Sequence, residues 1–260
     1  MKHTLQITLI LLALFFAAQL IGLGVVKSYL KEEALPYNIE RPEIEEETSY
    51  IYLIVALLFA TIIALLLAKF RAIRLWKFWF FVSIVLTLTI AFGAFLPDFI
   101  ALGIAFILAL VKIFKQNVFF HNLSELFVYA GLAGLFVPLL NLASITILLL
   151  VISLYDVIAV WKTKHMIEMA KFQTKAKIFA GLHINYGKGK EAILGGGDIG
   201  FPLMFAGVAL KVSWYNALLV ISFTTIALAL LFFFSKKDRY YPAMPFLTIG
   251  SFIGFLVSLI

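Results

Sequence analysis

The 260-residue chain contains no cysteine. Disulfides, thiolate metal sites and a cysteine nucleophile are therefore excluded. Charge is scarce too. Asp, Glu, Lys and Arg make up 13% of the residues, against roughly 25% in a soluble domain. Hydrophobic residues make up 63%, and 27 of the residues are Phe. No water-soluble fold of this length can bury so much apolar surface, so lipid must be the solvent. A net charge of +7 would suit a nucleic-acid partner in a soluble protein. In a membrane protein it marks cytoplasmic loops, and no nucleic-acid partner is expected.

A spanning helix needs about 20 mostly apolar residues. Nine segments qualify: 4–26, 50–68, 78–97, 99–115, 121–140, 142–161, 191–210, 214–234 and 242–260. The expected fold class is an all-α multi-pass membrane protein with nine transmembrane helices. It forms one membrane domain over 1–260. Helices one to six lie within 1–161, a basic amphipathic cytoplasmic connection covers 162–190, and helices seven to nine lie within 191–260. The first apolar run exceeds the usual signal-peptide core, so a retained helix is expected. The sequence shows no obvious internal repeat. Of the 21 Lys and Arg residues, 17 fall on the N-terminus and the even-numbered connections. Positive charge stays inside, which puts the N-terminus in the cytoplasm and the C-terminus outside.

Most acids sit in connections. Asp98 and Glu125 fall near helix ends, where water is expected to reach them. Asp156, in the sixth segment, and Asp198, in the seventh, do not. A carboxylate in the middle of a spanning helix costs roughly 2.5–3.5 kcal/mol on insertion scales and normally marks function. The sixth segment leaves the membrane at Lys162 and the seventh enters at Glu191. At a rise of 1.5 Å per residue both acids lie roughly 9–10 Å from the cytoplasmic ends of their helices. Antiparallel neighbours can bring such acids face to face. Two carboxylates in a low dielectric share one proton. The ionised member can take a proton from water while the other polarises a peptide carbonyl. The aspartates alone admit three readings of comparable weight: protease, proton or ion pathway, and structural hydrogen bonding.

Two further features narrow the choice. Gly195, Gly196 and Gly197 immediately precede Asp198. Each costs a helix about 1 kcal/mol relative to Ala, but permits close backbone approach. Pro242, Ala243, Met244 and Pro245 open the ninth segment. Proline suits a helix start, and two prolines in four residues leave backbone groups exposed that a substrate strand could pair with.

Together these features resemble the presenilin and signal peptide peptidase family of intramembrane aspartyl proteases. The family pattern is Tyr-Asp in the sixth helix, Gly-x-Gly-Asp in the seventh and Pro-Ala-Leu at the ninth. The matching residues are Tyr155-Asp156, Gly195-Gly196-Gly197-Asp198 and Pro242-Ala243-Met244. The resemblance implies a compact microbial, archaeal homologue in the plasma membrane of a prokaryote. By it, Asp156 and Asp198 are the catalytic pair, Gly195 and Gly197 shape the backbone beside Asp198, and Tyr155 packs near the dyad. Residues 242–245 would border the active site and position substrate. Substrates would be transmembrane-helix proteins, with no cofactor or metal. Membrane lipid surrounds the chain, a homo-oligomer is open, and no accessory subunit is evident.

Met244 stands where the family has leucine. The 162–190 connection is too short for the self-cleavage loop of presenilins. Pro202 resembles the signal peptide peptidase branch, while the cytoplasmic N-terminus resembles presenilin. His165 and His183 are too isolated to suggest a metal site. The acidic run over 40–47 reads as a solvated outer loop. A transporter or channel using paired carboxylates and a prepilin-type peptidase remain as alternatives. The first would often show repeat-related broken helices. The second would carry a basic residue soon after the Gly-x-Gly-Asp aspartate.

Overall fold

A computed structural model describes residues 4–32, 34–115, 117–163, 169, 172–173, 178–187, 190–235 and 241–260. Among these residues nine helices of 14 residues or more follow one another: α1 Leu5–Tyr29, α2 Ser49–Lys69, α3 Ile73–Gly93, α4 Asp98–Lys115, α5 Val118–Phe136, α6 Leu142–Val157, α7 Gly196–Leu210, α8 Trp214–Phe234 and α9 Met244–Val257. Each falls on one of the nine apolar segments, and the multi-pass helical class is as expected. Among the described residues six stretches are long and apolar enough to cross a bilayer: α1, α2, α3, Val118–Leu139, Leu142–Lys162 and α8. The 18-residue α4 carries Asp98, Lys112 and Lys115. At 15 and 14 residues, α7 and α9 are roughly 21–23 Å long, short of a hydrocarbon core of about 30 Å.

Two antiparallel hairpins punctuate the helices. The first pairs β1 Ala34–Leu35 with β2 Ile39–Glu40, and the second pairs β3 Gly181–Tyr186 with β4 Lys190–Gly195. The second changes the expected boundaries. Residues 191–195, read as the start of the seventh helix, form a strand, and residues 181–186 of the connection are its partner. The reason is visible in β4, where Ala192 and Leu194 are buried while Glu191 and Ile193 are exposed. That alternation is the period of a strand. The glycines that follow leave little helix propensity to oppose it. The amphipathic helix expected within 162–190 falls largely outside the described residues, as does His165.

The main apolar core lies among α1, α5, α6, α7, α8 and α9, with Leu11, Phe15, Leu148, Leu203 and Phe205 fully enclosed. By contrast α2 is peripheral, with Val55, Phe59 and Ile62 exposed, as a lipid-facing helix requires. Without a hydrophobic force between helices in lipid, tight contacts rely on small residues. Gly254 shows this, since a Cβ there would lie 2.7 Å from the Leu219 carbonyl oxygen of α8. At Gly131 on α5, an added Cβ would collide with the Thr87 carbonyl oxygen of α3. On the far side of the bundle from Asp198, Lys211 pairs with Glu46 at 3.0 Å and donates to the Leu140 carbonyl at 2.7 Å. The acidic run is thus partly tied to the helix ends.

The Gly131 contact is between backbones and cannot relax by a rotamer change. Gly131→Ala should cost about 1–3 kcal/mol, the range for overpacking, and lower the thermal midpoint in detergent. Gly103→Ala on α4, where nothing lies within 4 Å, should not lower it. Equal losses in the two variants would refute the close-approach account.

Candidate active site

The site forms where three helix ends converge. Asp156 lies in the last turn of α6 and is 6% exposed. Directly after it, residues Ile158–Lys162 widen into a π-turn, a distortion frequent at functional sites. Asp198 is the third residue of α7 and half-buried. There its carboxylate meets the positive end of the helix. Asp156 and Asp198 come from consecutive long helices, one at the end of α6 and the other at the start of α7.

The ninth segment supplies the third wall. Met244 is the first residue of α9, with Ala243 as N-cap and Pro245 in the first turn. The first N–H groups of a helix have no partner within it. Pro245 lacks one, and the Met244 N–H donates to Asp156 Oδ2 at 3.1 Å. A few residues on, Thr248 Oγ1 lies 2.8 Å from Ser153 Oγ of α6, holding the two helices in register. Pro242, Ala243 and Met244 are buried, and Pro245 is half-buried. Tyr155 is half-buried beside Asp156.

The three glycines differ. A Cβ at Gly195 would lie 3.2 Å from Asp198 Oδ2, so this glycine leaves room for the carboxylate. At Gly197 a Cβ would make only ordinary contact with Phe201, at 3.6 Å. At Gly196 it would strike the hydroxyl and ring of Tyr129 from α5. The middle glycine is thus the one whose missing side chain is replaced by a neighbour.

The structure brings in residues that the sequence reading passed over. Glu125, expected to meet water at a helix end, is 1% exposed and ion-paired with Lys112. It accepts from the Tyr129 hydroxyl, and from the Gly181 N–H at 2.8 Å. His121 Nε2 lies 2.8 Å from the Gly181 carbonyl oxygen. The Asn122 side chain bonds both the carbonyl and the N–H of His183, at 2.8 and 3.0 Å. From α1, Gln19 Nε2 donates to the Ile199 carbonyl at 3.0 Å, directly behind Asp198. The available signal was Lys112 inside an apolar run, with an acid early in the next helix able to neutralise it. Among the described residues no cluster of three or more His, Cys, Asp or Glu is placed to hold a metal.

A multi-pass helical bundle carrying two aspartates on adjacent helices, backed by a proline-bounded helix start, is the arrangement expected of an intramembrane aspartyl protease. The family model for signal-peptide peptidase and presenilin aspartyl proteases matches residues 12–260. The chain belongs to that family and is a peptidase, which decides against the transporter and prepilin-type alternatives. Its fold is similar to two solved structures of a presenilin family intramembrane aspartate protease. One, in a C222 crystal form, has a TM-score of 0.69 at 19% identity, over 97% of this chain and 98% of the other. The second, in a P2 form, has a TM-score of 0.68 at 20% identity, over 96% of each chain. No curated protein sequence matches.

The family pattern leaves the second position of Gly-x-Gly-Asp open, and here Tyr129 occupies the space of its side chain. Gly196→Ala should therefore cost about 1–3 kcal/mol of stability. Most of that cost should vanish in a Tyr129→Ala background, a coupling that thermal unfolding of the four proteins of a double-mutant cycle measures. Additive effects would count against the contact.

Proposed function

We propose that this protein is an endopeptidase that hydrolyses peptide bonds within the transmembrane segments of other membrane proteins, with Asp156 and Asp198 as its catalytic pair. The observation that carries this reading is the convergence of the α6 end bearing Asp156, the α7 start bearing Asp198 and the α9 start, with Asp156 held by the Met244 N–H. Two such carboxylates in a low dielectric titrate as one unit and hold one proton between them. The ionised member takes a proton from water as the oxygen attacks the scissile carbonyl. The protonated member donates to that carbonyl and stabilises the tetrahedral intermediate. The member that took the proton from water then gives it to the departing amine as the C–N bond breaks, and the other regains its proton from a hydroxyl of the intermediate as the carboxyl product forms.

A helical peptide bond is shielded by its own turn, so the substrate must unwind at the cleavage point. The short α7 and α9 support this. Their starts lie part-way across the bilayer, leaving residues 191–195 and 241–243 as non-helical backbone beside the dyad. Such backbone is tolerated at membrane depth only where protein or a water-filled cavity surrounds it. Pro242, Ala243, Met244 and Pro245 border the substrate, and Gly195 and Gly197 allow it to approach Asp198. Tyr155 packs at the edge of the dyad. We place the protein in the plasma membrane of a prokaryote, and the charge asymmetry of the connections supports nine spans with a cytoplasmic N-terminus. It puts the dyad on the cytoplasmic side, with residues 162–190 as the connection leading to it.

Purified protein should cleave a transmembrane peptide in detergent. Asp156→Asn and Asp198→Asn should each lower the rate by about 10²–10⁴-fold, the range for loss of a general acid or base, without loss of fold. Cleavage near the wild-type rate in either variant would sink the dyad assignment.

A further inference from the structure

A buried ion pair lies outside the residues assigned above. Glu125 on α5 and Lys112 on α4 are 1% and 5% exposed. Removing two such ions from water costs several kcal/mol each, and attraction offsets this only when the remaining hydrogen-bonding capacity is also satisfied. Here it is. Glu125 Oε1 accepts from Lys112 Nζ, and Oε2 accepts from the Tyr129 hydroxyl and from the Gly181 N–H. Lys112 Nζ lies a further 5.4 Å from the centroid of the Phe80 ring, within cation–π range. One carboxylate thus ties together α4, α5 and the start of β3.

Two of these ties lead to Asp198. Gly181 pairs with Gly195 in the hairpin, and Gly195 faces the Asp198 carboxylate. Tyr129 packs in the space above Gly196 and against Gly200, on either side of Asp198 in sequence.

We propose that Glu125 is a positioning residue for Asp198. Anchored by Lys112, it holds Tyr129 and the β3–β4 hairpin against residues 195–198, and so sets the Asp198 carboxylate relative to Asp156. The catalytic consequence rests on the dyad reading given above; the mechanical link does not.

The test uses full-length Tyr129→Phe, Glu125→Gln and Glu125→Gln/Lys112→Met proteins, with the transmembrane-peptide assay and thermal unfolding. Tyr129→Phe keeps the ring over Gly196 and loses only the hydroxyl, so it should fold. Its kcat should fall about tenfold or more with KM little changed, since small misplacements at a reacting centre cost up to about 10²-fold. Glu125→Gln should lose both stability and kcat, because it strands a buried ammonium. The double variant removes that ammonium and should regain the melting temperature but not kcat. Recovery of kcat together with stability, or wild-type kcat in Tyr129→Phe, would overturn the proposal. A second measurement needs no activity. Amide hydrogen exchange over residues 195–199, taken in an Asp156→Asn background, should speed up about tenfold when Tyr129→Phe is added, and unchanged exchange also overturns the proposal. If Asp156→Asn still cleaves, the dyad reading fails while the exchange result still decides the link.

Discussion

Hydrocarbon offers no hydrogen bonds, so each backbone polar group and each charge that this chain places inside the bilayer has to find its partner within the protein. The helices meet most of this demand. The exceptions gather in one region, where the starts of α7 and α9 and the end of α6 converge. The amide that α9 cannot use internally is given to Asp156. The Ile199 carbonyl behind Asp198 is met by Gln19 of α1. The outer side of β3 is met by Glu125, His121 and Asn122 of α5. Irregular backbone can therefore persist beside the two aspartates.

The same constraint shapes the packing. Helices in lipid gain nothing from hiding apolar surface from each other, so contact comes from close approach. Gly131 against α3 and Gly254 against α8 permit that approach. The core helices α1 and α5 then present polar side chains toward the site from behind. Gln19, Glu125 and Tyr129 are buried on helices that carry no family motif, yet each touches the segment holding Asp198 or the hairpin before it.

Much of this was legible in the sequence, for physical reasons. Apolar run length and the bilayer thickness locate the helices, and Asp156 and Asp198 stand out because an acid in a spanning segment is costly. The proline-bounded start of α9 was legible for the same kind of reason, since proline lacks the N–H that a helix start does not need. The hairpin was not. Residues 191–195 continue an apolar segment, and their strand alternation is too short to outweigh it until residues 181–186 pair alongside. Glu125 was misread because burial at a helix end depends on what covers it. Here the cover comes from α4 and from β3, which begins 56 residues later in the chain.

The sequence by itself determined the solvent, the order of the helices, the two acids and the family they belong to, because each follows from local composition or from short motifs. Only the tertiary structure decided which glycine of the three yields its space to Tyr129, which amide holds Asp156, and that Glu125 and Lys112 form a buried pair behind the site. Those facts depend on contacts between residues far apart in the chain. A long-range contact leaves no period or motif in the sequence from which it could be read.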